Sequence, residues 1–251
     1  MVGVNPFTLD GNLQGILVNP ANWDFVKPAL ETTDILPKES FLKINNLMPM
    51  GMTALLRMVC ETHQWLAVGL DGFANEQVPD KVGNYRLSNW NPELANILWK
   101  RIQVFLPFER IMDAWTPTDH EGHYNWRPVG VSPLLRFIRY KEGGQLVGHY
   151  DAAYRESDSR RTLMSLVIYL TTNACGATRF LRDPQIGKRM DEMDFNDWDR
   201  AGRDDEVILL NKPSNGDAIL FDHRLLHDGE PLGLNDPEKV IIRTDIVFEK
   251  A

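Results

Sequence analysis

From about residue 131 onward the chain breaks into short apolar runs separated by Gly, Asn, Asp and Pro, and this half of the sequence constrains the fold most. Runs at 134–140, 163–170, 218–221 and 240–248 are rich in β-branched, aromatic and other apolar residues, which is the signature of strands bounded by turns. Many short strands joined this way suggest a barrel or jelly roll. The preceding region reads differently. Asn91 can cap a helix, Pro92 suits its first position, and Glu93 favours its positive end. Leu94, Ile97, Leu98, Ile102 and Leu106 then recur at roughly helical spacing until Pro107 stops them. A second helix is expected over 52–63, carrying Leu55, Leu56, Met58 and Val59. The expectation is an α+β, mainly β fold, a double-stranded β-helix of the jelly-roll or cupin-like kind. One domain spans 1–251, with a helical and mixed region (1–130) packed outside a jelly-roll core (131–251).

With 251 residues, 43% of them hydrophobic and 25% charged, the chain can bury one sizeable core. No run of about 18 uncharged apolar residues occurs, so no membrane partner is expected. The first ten residues lack a basic segment followed by an apolar one, which reads as a cytoplasmic protein without a secretion signal. Cys60 and Cys175 fit no zinc-ligand spacing and are expected as reduced thiols. A net charge of −8 argues against a nucleic-acid partner, because phosphate contacts need a concentrated basic surface.

The chemistry points to His149-Tyr150-Asp151. In an extended strand, residues i and i+2 face the same way, so an imidazole and a carboxylate converge. His227 would complete a face of two histidines and one carboxylate. That set leaves three positions open on an octahedral ferrous ion. A lone His-x-Asp is a common accident, and its bland reading is a surface pair at a strand end. His223, four residues before His227, competes for the third position. His63, His120 and His123 have no carboxylate in a comparable pattern.

Ordered features surround the pair. Arg139-Tyr140 and Gly143-Gly144 precede it, and Tyr169-Leu170 and Gly176-Ala-Thr-Arg-Phe180 follow. Then come Gly216-Asp-Ala-Ile-Leu-Phe221, Leu226-His-Asp-Gly229 and Lys239-Val-Ile-Ile-Arg-Thr-Asp245. In this order and spacing, residues 131–248 resemble the prolyl-4-hydroxylase-like branch of the Fe(II)/2-oxoglutarate dioxygenases. The resemblance implies Fe(II) held by His149, Asp151 and His227, with 2-oxoglutarate as cosubstrate and O2 as oxidant. It implies His227 rather than His223, because Asp228, Gly229 and Pro231 match the family stretch. A basic residue on the strand after that histidine would bind the far carboxylate of 2-oxoglutarate. Lys239 and Arg243 share one strand face, and Lys239 is favoured because it begins the strand. Tyr140 and Tyr169 match positions whose phenols can hydrogen-bond to 2-oxoglutarate; their plainer reading is core aromatics. Cys175 stands where the family more usually has the first of two glycines, and Thr178 and Phe180 pack beside the cosubstrate pocket.

The carboxylate at 151 implies hydroxylation of an aliphatic C–H, since related halogenases carry a small residue there. With no second module or membrane segment, the expected substrate is a small molecule, such as a free amino acid or a natural-product intermediate. A peptidyl, prolyl-type hydroxylase and a non-catalytic metal-binding jelly roll are the alternatives. Arg155, Arg161 and Trp126 are candidates for contacting substrate at the mouth of the site, against a plain reading as a solvated turn. The acidic insert at 182–206 reads as a loop with a helical turn, or as a lid.

Overall fold

The computed structural model describes residues 6–36, 40–72, 81–106, 110–113, 123–185, 188, 192, 194 and 200–251. Among these residues there are fifteen strands and three α-helices, the helices all before Arg110. Helix α1 is Gly11–Val18; strands β1 and β2 are Ala29–Glu31 and Phe41–Asn45; helix α2 is Met50–Cys60. Strands β3 and β4 (Leu66–Gly69, Val82–Trp90) lead to helix α3 (Pro92–Ile102). There follow β5 (Arg110–Asp113), β6 (His123–Val131), β7 (Leu134–Tyr140), β8 (Leu146–His149), β9 (Arg155–Ser157) and β10 (Arg160–Tyr169). The last five are β11 (Thr178–Leu181), β12 (Val207–Asn211), β13 (Ala218–Asp222), β14 (His227–Gly229) and β15 (Lys239–Lys250).

Two antiparallel sheets result. The major one runs β1-β2-β13-β10-β15-β7-β4-β3, with β5, β6 and β9 attached at its side, and the minor one runs β12-β11-β14-β8. Alternation along the strands separates two cores. On one face of the major sheet, Leu135, Phe137, Leu166, Ile168 and Ile242 meet Leu56 of α2 and Leu94, Leu98 and Ile102 of α3. On the other face, Ile138, Val167, Ile219 and Ile241 pack against Phe180 of the minor sheet. The order is therefore helices, major sheet, minor sheet. The mainly β, jelly-roll expectation is borne out.

The four strand runs read from sequence appear at 134–140, 160–169, 218–222 and 239–250. Helix α3 starts as its cap foretells, with Asn91 Oδ1 accepting from the Leu94 N–H at 2.9 Å. The region before residue 131 is richer in strands than its helical and mixed reading suggested. It supplies β1 to β5 and most of β6, and β2 and β4 hydrogen-bond directly to β13 and β7 of the later half. Residues 186–187, 189–191, 193 and 195–199 of the 182–206 insert, together with His120, lie outside the described residues. No helix among the described residues is long and apolar enough to cross a membrane, and both cysteines are free thiols.

Candidate metal centre and cavity

His149 ends β8, and His227 begins β14 directly opposite it in register. That pairing brings the two rings to a centroid separation of 4.2 Å. Asp151 lies just past the end of β8, so the alternation of the strand does not itself place it. Its backbone N–H is held by the His223 carbonyl at 3.2 Å. The result is a compact group: ligand atoms of His149, Asp151 and His227 all lie within 4.8 Å of one another. Each histidine Nε2 stands 3.7 Å from an Asp151 oxygen.

The donor set suits a divalent metal. His149 Nδ1 donates to the Val147 carbonyl and His227 Nδ1 to the Leu225 carbonyl, each at 2.8 Å. A carbonyl can only accept, so the proton sits on Nδ1 and the Nε2 lone pair is free for a metal. Burial, aided by the neighbouring His227, pushes the His149 ring down to about 3. Burial likewise lowers His227, against the pull of Asp151. Both rings are therefore neutral at pH 7, the form that coordinates. Phe221 packs edge-on to His227 at 4.6 Å and restricts its rotation. Burial raises the Asp151 carboxyl, but Arg243 and the two histidines outweigh it and hold it well below the usual carboxylate range. Arg243 Nη2 reaches Asp151 Oδ1 at 2.9 Å, and the Ser165 hydroxyl donates to Oδ2.

The metal group opens onto a cavity of about 510 Å³ between the sheets. Three rungs cross its floor, where β7 pairs with β15: Tyr140 opposite Lys239, Ile138 opposite Ile241, and Arg136 opposite Arg243. The Arg136–Arg243 rung adjoins the metal group through the Arg243–Asp151 contact. Lys239 lies four residues along the strand, roughly 13 Å at the usual rise. It is buried; its Nζ donates to the Gly176 carbonyl at 2.5 Å and sits 4.7 Å from the Tyr140 ring centre. Burial pushes Lys239 down to about 8, partly offset by Glu230 and Asp228. Among the described residues no carboxylate stands within ion-pairing distance of it. Gly176 has φ +76°, and a Cβ there would come within 3.2 Å of the Lys239 stem, so this turn needs glycine. Burial likewise pushes Tyr140 up to about 12, which keeps it a phenol.

Several residues singled out by sequence sit elsewhere. The Tyr169 hydroxyl is engaged by Thr178 Oγ1 at 2.9 Å and Asn211 Nδ2 at 3.0 Å; it lies behind Thr178, which lines the cavity in its stead. Trp126 is buried in the core on the helix side of the major sheet, away from the cavity. Arg161 lies over its ring at 5.2 Å. Arg155 is at the surface, paired with Asp158 at 2.7 Å. None of these three lines the cavity: a crowd of arginines after Asp151 suggested a mouth, but the β9–β10 hairpin carries them off. His223 is buried with its Nε2 3.4 Å from Asp245 and takes no part in the metal group.

Two cavity arginines were not anticipated. Arg136 lines the floor and pairs with Asp245 at 3.0 Å; alternation from Tyr140 two rungs away could have found it. Arg86 reaches the cavity from β4, where it lies opposite Ile138. Only the non-sequential strand order puts it there.

No family model matches the sequence, and no curated protein matches it. Solved structures do match in fold. The non-haem α-ketoglutarate-dependent carbocyclase SnoK of nogalamycin biosynthesis aligns over 85% of this chain and 81% of its own, at 14% identity and a TM-score of 0.53. The fold is that of the α-ketoglutarate-dependent (2-oxoglutarate-dependent) oxygenases. A prolyl hydroxylase of Trichoplax adhaerens, solved with a peptide fragment of hypoxia-inducible factor, shares this oxygenase fold. It aligns over 94% of this chain and 89% of its own, at 14% identity and a TM-score of 0.50.

Proposed function

We propose that this chain is an Fe(II)/2-oxoglutarate-dependent oxygenase that hydroxylates an aliphatic C–H of a small molecule. His149, Asp151 and His227 would hold the iron, and Lys239 would anchor the far carboxylate of 2-oxoglutarate. The observation that carries this reading is the placement of Lys239. A buried ammonium without a carboxylate partner is costly, and this one sits in the cavity that the metal group lines, two rungs beyond Arg243. A dicarboxylate spanning metal and lysine relieves that cost. A jelly roll that merely binds metal has no use for such a lysine, so the catalytic reading is the stronger one.

When bound, iron and 2-oxoglutarate together supply the activation of dioxygen. The chain's own residues do the rest. His149 and His227 present fixed Nε2 lone pairs through their Nδ1–carbonyl bonds. Arg243 and Ser165 orient the Asp151 carboxylate and keep it ionised. Arg243 is thereby occupied at the metal end, which favours Lys239 over it as the anchor. Tyr140, neutral and beside Lys239, can donate its hydroxyl proton to the cosubstrate. Ile138, Val167 and Ile241 give the floor apolar patches that exclude water. The test is an anaerobic titration of Fe(II)-loaded protein with 2-oxoglutarate. A visible charge-transfer band that is lost in His227→Ala supports the assignment; no band in folded, iron-loaded protein overturns it.

A further inference from the structure

Three arginines line the cavity, and they are not equally matched. Arg136 pairs with Asp245 at 3.0 Å, and Arg243 contacts Asp245 at 3.3 Å and Asp151 at 2.9 Å. Arg86 is different. Its one hydrogen bond among the described residues runs from Nε to Asn84 Oδ1 at 3.0 Å, and no carboxylate there stands within ion-pairing distance. Its terminal nitrogens are left to the cavity, with Nη2 lying where a Cβ on Gly72 would come within 3.0 Å. Gly72, at φ +81°, lets the loop pass that close.

The surroundings make this arrangement unfavourable without a ligand. Burial pulls Arg86 below the usual arginine range, and Arg243 and Arg136 push the same way, eased by Tyr140 and Asp151. A half-buried guanidinium beside two others is a poor choice for a chain with eight surplus negative charges, unless an anion completes it. Arg86 does not suit the far carboxylate of 2-oxoglutarate, because Lys239 holds the opposite end of the floor. It lies beside Ile138, the central rung, one step from Arg136.

We infer that Arg86, with Arg136 alongside, binds a carboxylate of the substrate and holds it next to the metal group, so that the substrate class is a small carboxylic acid. This rests on the oxygenase reading above, in which Lys239 is committed to the cosubstrate. The planar fork of a guanidinium with no carboxylate partner among the described residues suits a carboxylate in two-point contact. A phosphate dianion would call for a second free cation, and Arg136 is already paired with Asp245. The apolar floor residues Ile138, Val167 and Ile241 would take the aliphatic part of the acid.

The experiment is calorimetric titration of protein loaded with Mn(II) and 2-oxoglutarate. The probes are the free α-amino acids and short aliphatic carboxylic acids, each beside its primary amide, with phosphate monoesters as a third set. At least one acid should bind, and its amide should bind about tenfold or more weakly, the loss of one charge-assisted contact. In Arg86→Gln that acid should fall to the level of its amide, while 2-oxoglutarate affinity stays within about twofold, which also reports an intact fold. Arg86→Lys should restore part of the discrimination. Acid and amide binding alike, discrimination surviving in Arg86→Gln, or binding of phosphate esters in place of acids overturns the inference. So does a panel in which 2-oxoglutarate binds and no acid does, and that result leaves the oxygenase reading standing. Failure of 2-oxoglutarate to bind the unmodified chain instead overturns that reading, and this inference with it.

Discussion

Replacing Lys239 by methionine should make the protein more stable and almost useless. The ammonium is 2% exposed, and burial pushes it from 10.5 down to about 8, a cost of roughly 3 kcal/mol for keeping the charge at pH 7. Methionine has similar length and no charge, so it removes that cost. It also strands the Gly176 carbonyl, a loss of about 1–2 kcal/mol. The net gain is about 1–2 kcal/mol, or a rise in Tm of a few degrees at roughly 2–4 °C per kcal/mol for a chain of this size. The pH dependence has a definite sign. Between about 8 and 10.5 the unfolded chain holds a proton that the folded chain has lost, so stability rises with pH through that window. Below about 8 the penalty is complete. In Lys239→Met this rise should vanish. Binding should move the other way: losing a buried charge-to-carboxylate contact costs about 2–5 kcal/mol, a 30-fold or greater weakening of 2-oxoglutarate. Thermal melts across pH and anaerobic titration of the metal-loaded protein measure both. A variant with a lowered Tm and unchanged 2-oxoglutarate affinity would make Lys239 a fold-supporting residue and refute its role as anchor.

Other outcomes follow from the same geometry. His227→Ala should abolish stoichiometric Fe(II) binding, read by metal analysis after desalting, with far-UV circular dichroism unchanged. Chelation of the metal should lower Tm without unfolding the chain, since a ligand at about a thousand times its Kd contributes about 4 kcal/mol; equal melts with and without Fe(II) would count against the metal site. Arg179→Met should be damaging beside the metal group, where Arg179 pairs in register with Asp228, the neighbour of His227. It leaves Asp228, which accepts from Arg179 at 2.8 and 2.5 Å, buried without its cation and holding only the Gly202 N–H, at a cost of about 3–5 kcal/mol in denaturant melts. Arg243→Ala should raise the 2-oxoglutarate requirement much less than Lys239→Ala in succinate-release assays, because its charge is already spent on Asp151 and Asp245.

What could be read from the chain, and what could not, divides along a physical line. The metal group was legible because its residues fall in a short motif and a ladder partner: His149 and His227 stand opposite each other in neighbouring strands. The run Leu134–Tyr140 was legible as a strand because apolar and aromatic residues dominate it. Val82–Trp90 was not, since Asn84, Arg86, Ser88 and Asn89 make it polar, and its place beside β7 depends on pairing across about fifty residues. Arg86 was hidden for that reason. Tyr169 shows the converse error. Its strand was read correctly, yet which polar group reaches the cavity was decided by Thr178 and Asn211 on the other sheet. Arg155 and Arg161 were misplaced because local charge density says nothing about the direction in which a hairpin turns.

The two histidines of the metal group ride on the minor sheet, whereas the lysine and the arginines line the major one. On the proposed reading, iron and cosubstrate anchor would thus be fixed to different walls, and the spacing between them is a ruler whose length is set by what fills the gap. Phe180, Phe221 and Ile219 are that filling. Trimming one of them would change the span that a bound dicarboxylate must bridge before it changed whether the chain folds, so apolar side chains with no metal-binding or charged group still govern how well the two halves of the site fit one molecule.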